Sequence, residues 1–176
     1  YKAELSNDVL AQLGGKIGAD VPFCLAGGTM LATGIGTSLE RIEPELNLSK
    51  YHILLCKPQI NVSTPFAYKR SDSRPFSTTV HSDEVLRALQ KNDEQLFFKG
   101  LYNDFDSLLE LAEVQHIKTI MAENGSEASV MSGSGPTVYG IYKSVERARA
   151  TAEILRKEFD DVYLTRCCDN GCTIVE

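Results

Sequence analysis

The residues of this sequence whose types and spacing could do chemistry fall in a few short stretches. The first is Ser132-Gly133-Ser134-Gly135-Pro136, set between a short apolar run (Val130, Met131) and a β-rich run from Thr137 to Tyr142. Glycine tolerates φ > 0 and has no Cβ, so such a backbone turns sharply and can offer its N–H groups to an anion. That concavity suits phosphate, although a plain tight link between two strands would use the same residues. The second stretch is Lys16 to Phe23, Lys-Ile-Gly-Ala-Asp-Val-Pro-Phe. Asp20 stands there among small and apolar residues. An acid so placed is either a turn or cap residue making local hydrogen bonds, or a functional carboxylate on a stiff backbone. Its pairing with the glycine loop favours the second reading. A third candidate is Tyr68. Ser63 or Thr64 can cap a helix that holds Pro65 in its first turn, where a missing N–H costs nothing. Tyr68 then leaves that turn as core, as a surface lid, or as a ring that stacks on a flat ligand.

The elements that must position these residues are legible from periodicity and punctuation. Ser6 caps a predicted helix with Val9, Leu10 and Leu13 on one face, ending at Gly14-Gly15. A loop carries Asp20. Thr29 to Thr33 and Ser38 to Ile42 read as paired strands around Gly34-Ile35-Gly36. Glu43 to Lys50 reads as a linker, Tyr51 to Cys56 as a buried strand, and Arg70 to Val80 as a polar, mobile loop. Helices are predicted from Ser82, from Asp93, over Phe105 to Ala112, and through Ile117 to Met121, closing at Asn124-Gly125. The glycine loop follows, then a helix over Val145 to Phe159 and a last strand over Asp161 to Cys167. Strands clustered with helices laid on one face predict an α+β sandwich of the ferredoxin-like kind. Residues 1 to 42 are too few to build a core of their own.

Composition narrows the function classes. The chain has 176 residues, 43% hydrophobic and 24% charged, with a net charge of −6 and no block of Lys and Arg. Nucleic acid and anionic membrane are therefore not expected as partners. No apolar run reaches the length of a membrane span. Cys24, Cys56, Cys167, Cys168 and Cys172 are odd in number and unevenly scattered, which predicts reduced thiols and a cytoplasmic setting rather than a disulfide frame. The Cys-Cys-x-x-x-Cys cluster lacks the spaced second pair that structural zinc wants, so a terminal strand edge with exposed thiols is expected. Leu13-Gly14-Gly15-Lys16 fails the Walker A pattern.

With these stretches in place, the chain resembles the GHMP small-molecule kinases, and among them those acting on a cytidine-diphosphate alcohol. The likeness lies in Ile17 to Phe23, in Gly27-Gly28 through Gly34-Ile35-Gly36, in Ser63 to Tyr68, and in Met131 to Thr137, in that order. It implies the end of a ribosomal-S5-like catalytic domain (residues 1–45), a ferredoxin-like GHMP kinase C-terminal domain (46–168) and a tail (169–176). It implies ATP and Mg²⁺, and transfer of the γ-phosphoryl to the 2-hydroxyl of a cytidylyl-methylerythritol in the non-mevalonate isoprenoid pathway. By resemblance, Asp20 accepts the hydroxyl proton or orients the alcohol. Ser132, Gly133, Ser134 and Gly135 bind the diphosphate of ATP or of the substrate. Tyr68 stacks on cytosine, with Thr64, Pro65 and Ile35 lining the same pocket, and both segments are expected to meet at one cleft. The family's N-terminal half, with its Lys, its Asn and its ATP phosphate loop, has no counterpart in this sequence. The missing half is thus an expected partner, and the chain by itself is expected to be inactive. Another kinase of the family, acting on homoserine, a mevalonate-type alcohol or a sugar, would share the loop. A non-catalytic ligand-binding module would share the sandwich.

Overall fold

The computed structural model describes residues 5–72 and 81–173, and the chain divides into two units. The first runs up to Pro44 and takes in the residues from Cys168 onward. Its first helix, α1 (Asn7–Gly15), starts where the Ser6 hydroxyl accepts from the Val9 N–H at 3.4 Å. The loop expected after Asp20 is instead a helix, α2 (Val21–Ala26). Pro22 sits in its first turn, where its missing N–H is harmless, and Gly27 closes it at φ 64. α1 lies tight against α2, since a Cβ on Gly14 would come 2.9 Å from Val21 Cγ1. β1 (Met30–Thr33) and β2 (Ser38–Arg41) form an antiparallel hairpin turned by Gly34 and Gly36, both at positive φ. The Cys172 N–H donates to the Cys24 carbonyl at 2.9 Å, so the segment after Cys168 lies along α2. Cys167, Cys168 and Cys172 are exposed but lie beyond the last strand, not on its edge.

The second unit, Glu45–Cys167, is built on one antiparallel sheet. Its strands are β3 (His52–Lys57), β4 (Ala128–Met131), β5 (Val138–Tyr142) and β6 (Asp161–Thr165), in the order β4-β5-β3-β6. Between β3 and β4 come α3 (Thr64–Asp72), α4 (His81–Gln90), α5 (Glu94–Gly100), α6 (Asp104–Leu109) and α7 (Ala112–Glu123); α8 (Val145–Leu155) joins β5 to β6. With the intervening helices counted as one crossover, this is the β-α-β-β-α-β order of a ferredoxin-like sandwich. Leu54, Cys56, Val138 and Tyr142 face α7 and α8, where Ile117, Met121, Ala152 and Leu155 are fully or almost fully buried. Each such side chain withdrawn from water contributes roughly 1.5–3 kcal/mol.

Several sequence expectations change here. Helices cover both faces, not one, because Ile53, Tyr139 and Ile141 on the opposite side pack with α4, α5, Leu46 and Tyr51. Apolar residues on both sides of β3 and β5 demand two covers. The expected linker is likewise part of that second cluster. Leu46 is fully buried, and the Glu45 and Leu46 N–H groups both donate to the Leu89 carbonyl. The helix expected over Phe105 to Ala112 breaks at Glu110, which adopts φ 47 and starts a new direction for α7. Arg70 to Asp72 continue α3, and the remainder of that expected loop, residues 73–80, lies outside the described residues.

Candidate functional site

The glycine loop is the turn of the β4–β5 hairpin. The Ser132 N–H donates to the Thr137 carbonyl at 2.8 Å, and the Gly135 N–H to the Ser132 carbonyl at 2.9 Å. Between them, the Gly133 and Ser134 N–H groups have no acceptor among the described residues. Two adjacent unpaired donors in a small-residue turn form a concavity of the anion-binding kind. The two glycines differ in what they do. A Cβ on Gly135 (φ 81) would lie 2.5 Å from Met131 Sδ, so that position is closed by the fold. A Cβ on Gly133 (φ 54) would meet nothing within 4 Å, so the space beside it is open.

α3 delivers Thr64, Pro65 and Tyr68 to the same unit. Thr64 Oγ1 lies 2.9 Å from Ser134 Oγ, which brings the start of α3 to the loop. Pro65 is exposed. Tyr68 rests against Phe105 of α6 in a T-shaped contact, centroids 5.1 Å apart, yet its side chain remains 58% exposed. That leaves aromatic surface for a flat ligand. Cavities open in this unit among the described residues. One of about 550 Å³ runs along α3, with Ser63, Phe66 and Leu109 in its wall. Another, about 410 Å³, lies beside Asn103 and holds Asp106 and Lys118. Asp106 is buried and fully engaged, accepting from Gln115 Nε2 at 2.8 Å and paired with Lys118.

Asn103, which the sequence alone does not single out, supports the loop. Asn103 Oδ1 accepts from the Phe105 N–H at 2.9 Å and so caps α6. Its Nδ2 donates to the Met131 carbonyl at 2.6 Å and to the Gly133 carbonyl at 2.8 Å. The only local signal was the identity of Asn ahead of a short apolar helix, which is the mark of a cap.

In the first unit, Asp20 occupies the cap position of α2 but its side chain makes no cap hydrogen bond. The carboxylate is exposed, and no hydrogen bond or ion pair to it occurs among the described residues. Of the two readings open at the outset, local capping is not realised. Ile35 sits at the tip of the β1–β2 turn, 82% exposed.

The strongest electrostatic perturbation lies elsewhere. Hydrogen bonds from Lys143, Lys50 and Tyr51 hold the Glu94 carboxyl down at about 2. Burial, then the hydrogen bond to Glu94, pushes the Tyr51 hydroxyl up, and burial pushes the Cys56 thiol up to about 12. Among the described residues, no three His, Cys, Asp or Glu side chains stand close enough to hold a metal. These residues build no Mg²⁺ cage of their own.

Comparison with known proteins matches residues 85–161 to the C-terminal domain model of the GHMP kinases. The chain is 35% identical over 169 residues to the 4-diphosphocytidyl-2-C-methyl-D-erythritol kinase of Clostridium novyi, covering 94% of this chain and 59% of that protein. A solved 4-(cytidine 5′-diphospho)-2C-methyl-D-erythritol kinase superposes with a TM-score of 0.71 at 27% identity, over 93% of this chain and 57% of its own. Homoserine kinase from Cytophaga hutchinsonii shares the fold at a TM-score of 0.74 and 19% identity, over 97% of this chain and 61% of its own. The chain thus spans about 60% of the length of the curated relatives it matches.

Proposed function

Because the chain carries a GHMP kinase C-terminal domain, we propose that it is part of an ATP-dependent kinase that phosphorylates the 2-hydroxyl of 4-diphosphocytidyl-2-C-methyl-D-erythritol. The identity to proteins of that name supports the substrate, and the open turn at Gly133 supports the chemistry. In a loose phosphoryl-transfer transition state, catalysis rests on positioning and charge stabilisation. The Gly133 and Ser134 N–H groups, with the Ser132, Ser134 and Thr64 hydroxyls, bind diphosphate oxygens of ATP or of the acceptor. Gly135 shapes the turn. Tyr68 stacks on cytosine, beside Thr64 and Pro65, and Ile35 adds apolar contact. Asp20 orients the acceptor hydroxyl and takes its proton late, since a carboxylate is a weak base toward an alcohol. ATP would be the phosphoryl donor, and Mg²⁺ would supply charge neutralisation on its phosphates, the described residues offering no cluster of three acidic, His or Cys ligands to hold it. The ATP triphosphate loop belongs to the part of the kinase fold beyond this chain, so this chain alone does not turn over.

The test is a pair of substitutions in the full-length protein. Asp20→Ala lowers kcat by about 10²–10⁴-fold, the usual weight of a general base. Because Asp20 is exposed and unbonded, stability stays at the parent value. Gly133→Ala raises KM for a phosphate-bearing substrate at least tenfold, while the strain of a left-handed alanine costs only about 1–2 kcal/mol of stability. Parent kcat in the first variant removes Asp20 from the chemistry. Parent KM for both substrates in the second removes the loop from binding.

A further inference from the structure

We infer that Asn103 is a positioning residue, fixing the direction in which the Ser132–Gly135 turn presents the free Ser134 N–H. The peptide unit is planar and trans, so a carbonyl and the N–H of the next residue point in opposite directions. Asn103 Nδ2 takes the Gly133 carbonyl at 2.8 Å. The Ser134 N–H, which has no acceptor among the described residues, is thereby aimed away from Asn103 and out of the hairpin. The same nitrogen takes the Met131 carbonyl at 2.6 Å, which sets the peptide carrying the Ser132 N–H, the one that closes the turn on Thr137. One amide group therefore orients the peptides on either side of the Ser132–Gly133 pair. Its oxygen is committed to the Phe105 N–H, so the amide cannot flip without setting that oxygen against two carbonyls. Phe105 also holds Tyr68. A single side chain thus references the diphosphate-binding turn and the aromatic ring to the same helix start.

This rests on reading the turn as a phosphate cradle, and the experiment separates the two claims. Asn103→Asp and Asn103→Ser both keep an oxygen that can cap α6 and neither keeps the amide's two N–H donors, Asp having none and Ser one shorter hydroxyl that the cap engages as acceptor. In the full-length protein each should leave the Phe105 amide protected from hydrogen exchange, and the melting temperature should fall more in Asn103→Asp, whose second oxygen faces the two carbonyls, than in Asn103→Ser. The Ser132 and Gly135 amides should exchange faster. kcat/KM should fall about 10–100-fold, as misplacement of a binding group does. Because both variants cap, a role confined to capping α6 predicts parent exchange at Ser132 and Gly135 and parent kcat/KM in each. Unchanged exchange at Ser132 and Gly135 overturns the inference, and so does faster exchange with parent kcat/KM. Parent KM in Gly133→Ala, measured alongside, would instead remove the cradle reading and leave the exchange data to decide whether Asn103 holds the turn.

Discussion

Glu94 is the residue on which charge converges most densely. Its carboxylate accepts from the Tyr51 hydroxyl at 2.7 Å, pairs with Lys143 at 2.8 Å, and is joined by Lys50. Its folded pKa of about 2 lies below the ordinary carboxylate value. The stabilisation it gives is therefore complete above the ordinary carboxylate range and fades as pH falls from there toward 2. Glu94→Gln should flatten that part of the stability–pH profile, measured by denaturant midpoints from about pH 5 to pH 2. A variant profile as steep as the parent's would show that other carboxylates carry the acid sensitivity. At this scale the sequence revealed residues whose type was unusual for their setting: Asp20 among small neighbours, Tyr68 after a capped proline turn, and the paired glycines. Asn103 was not legible. Its work is done through carbonyls 28 and 30 positions away, a relation no local pattern encodes.

The elements follow the same division. α1, α5 and α8 begin at Ser6, Asp93 and Ser144, each accepting a backbone N–H of the first turn, and the first two starts were legible in the sequence. α2 was missed because its six residues are too few to show a period. The break at Glu110 was missed because a non-glycine residue in the left-handed region gives no warning. The two-sided sheet was missed because the second cluster draws on Leu46 and Leu48, two leucines scattered in a polar run. Gly140 illustrates how closely the elements fit. It pairs with Leu54 across the sheet, and a Cβ there would lie 2.7 Å from Met121 Sδ of α7. Gly140→Val should cost about 1–3 kcal/mol by overpacking α7 against β5. Urea unfolding at parent stability would mean that Met121 moves aside without penalty.

On the scale of the whole molecule, the buried large apolar side chains all belong to the second unit, from Leu46 onward. In the first unit, the residues buried among those described are Gly14, Pro22 and Gly27. Val9 and Leu13, four apart along α1, are 39% and 46% exposed, and Ile17 is 81% exposed. Such a stripe of exposed apolar side chains is adhesive in water. Produced alone, the chain should then associate with rising concentration in sedimentation velocity, and Leu13→Lys with Ile17→Lys should return it to a monomer. A parent chain that stays monomeric would show that the stripe is not adhesive. The first unit is also assembled from two distant parts of the sequence, with Gly171 so close to Gly27 that a Cβ on either would strike the other segment's backbone. On the ribosome, the residues of the second unit emerge as one uninterrupted block and can collapse as they appear. The helix that Asp20 opens must wait, its flank bare, for a strap synthesised more than a hundred residues later. The far end of α2, where Cys24 accepts from Cys172, therefore gains its cover only after the residues of the sheet have been made.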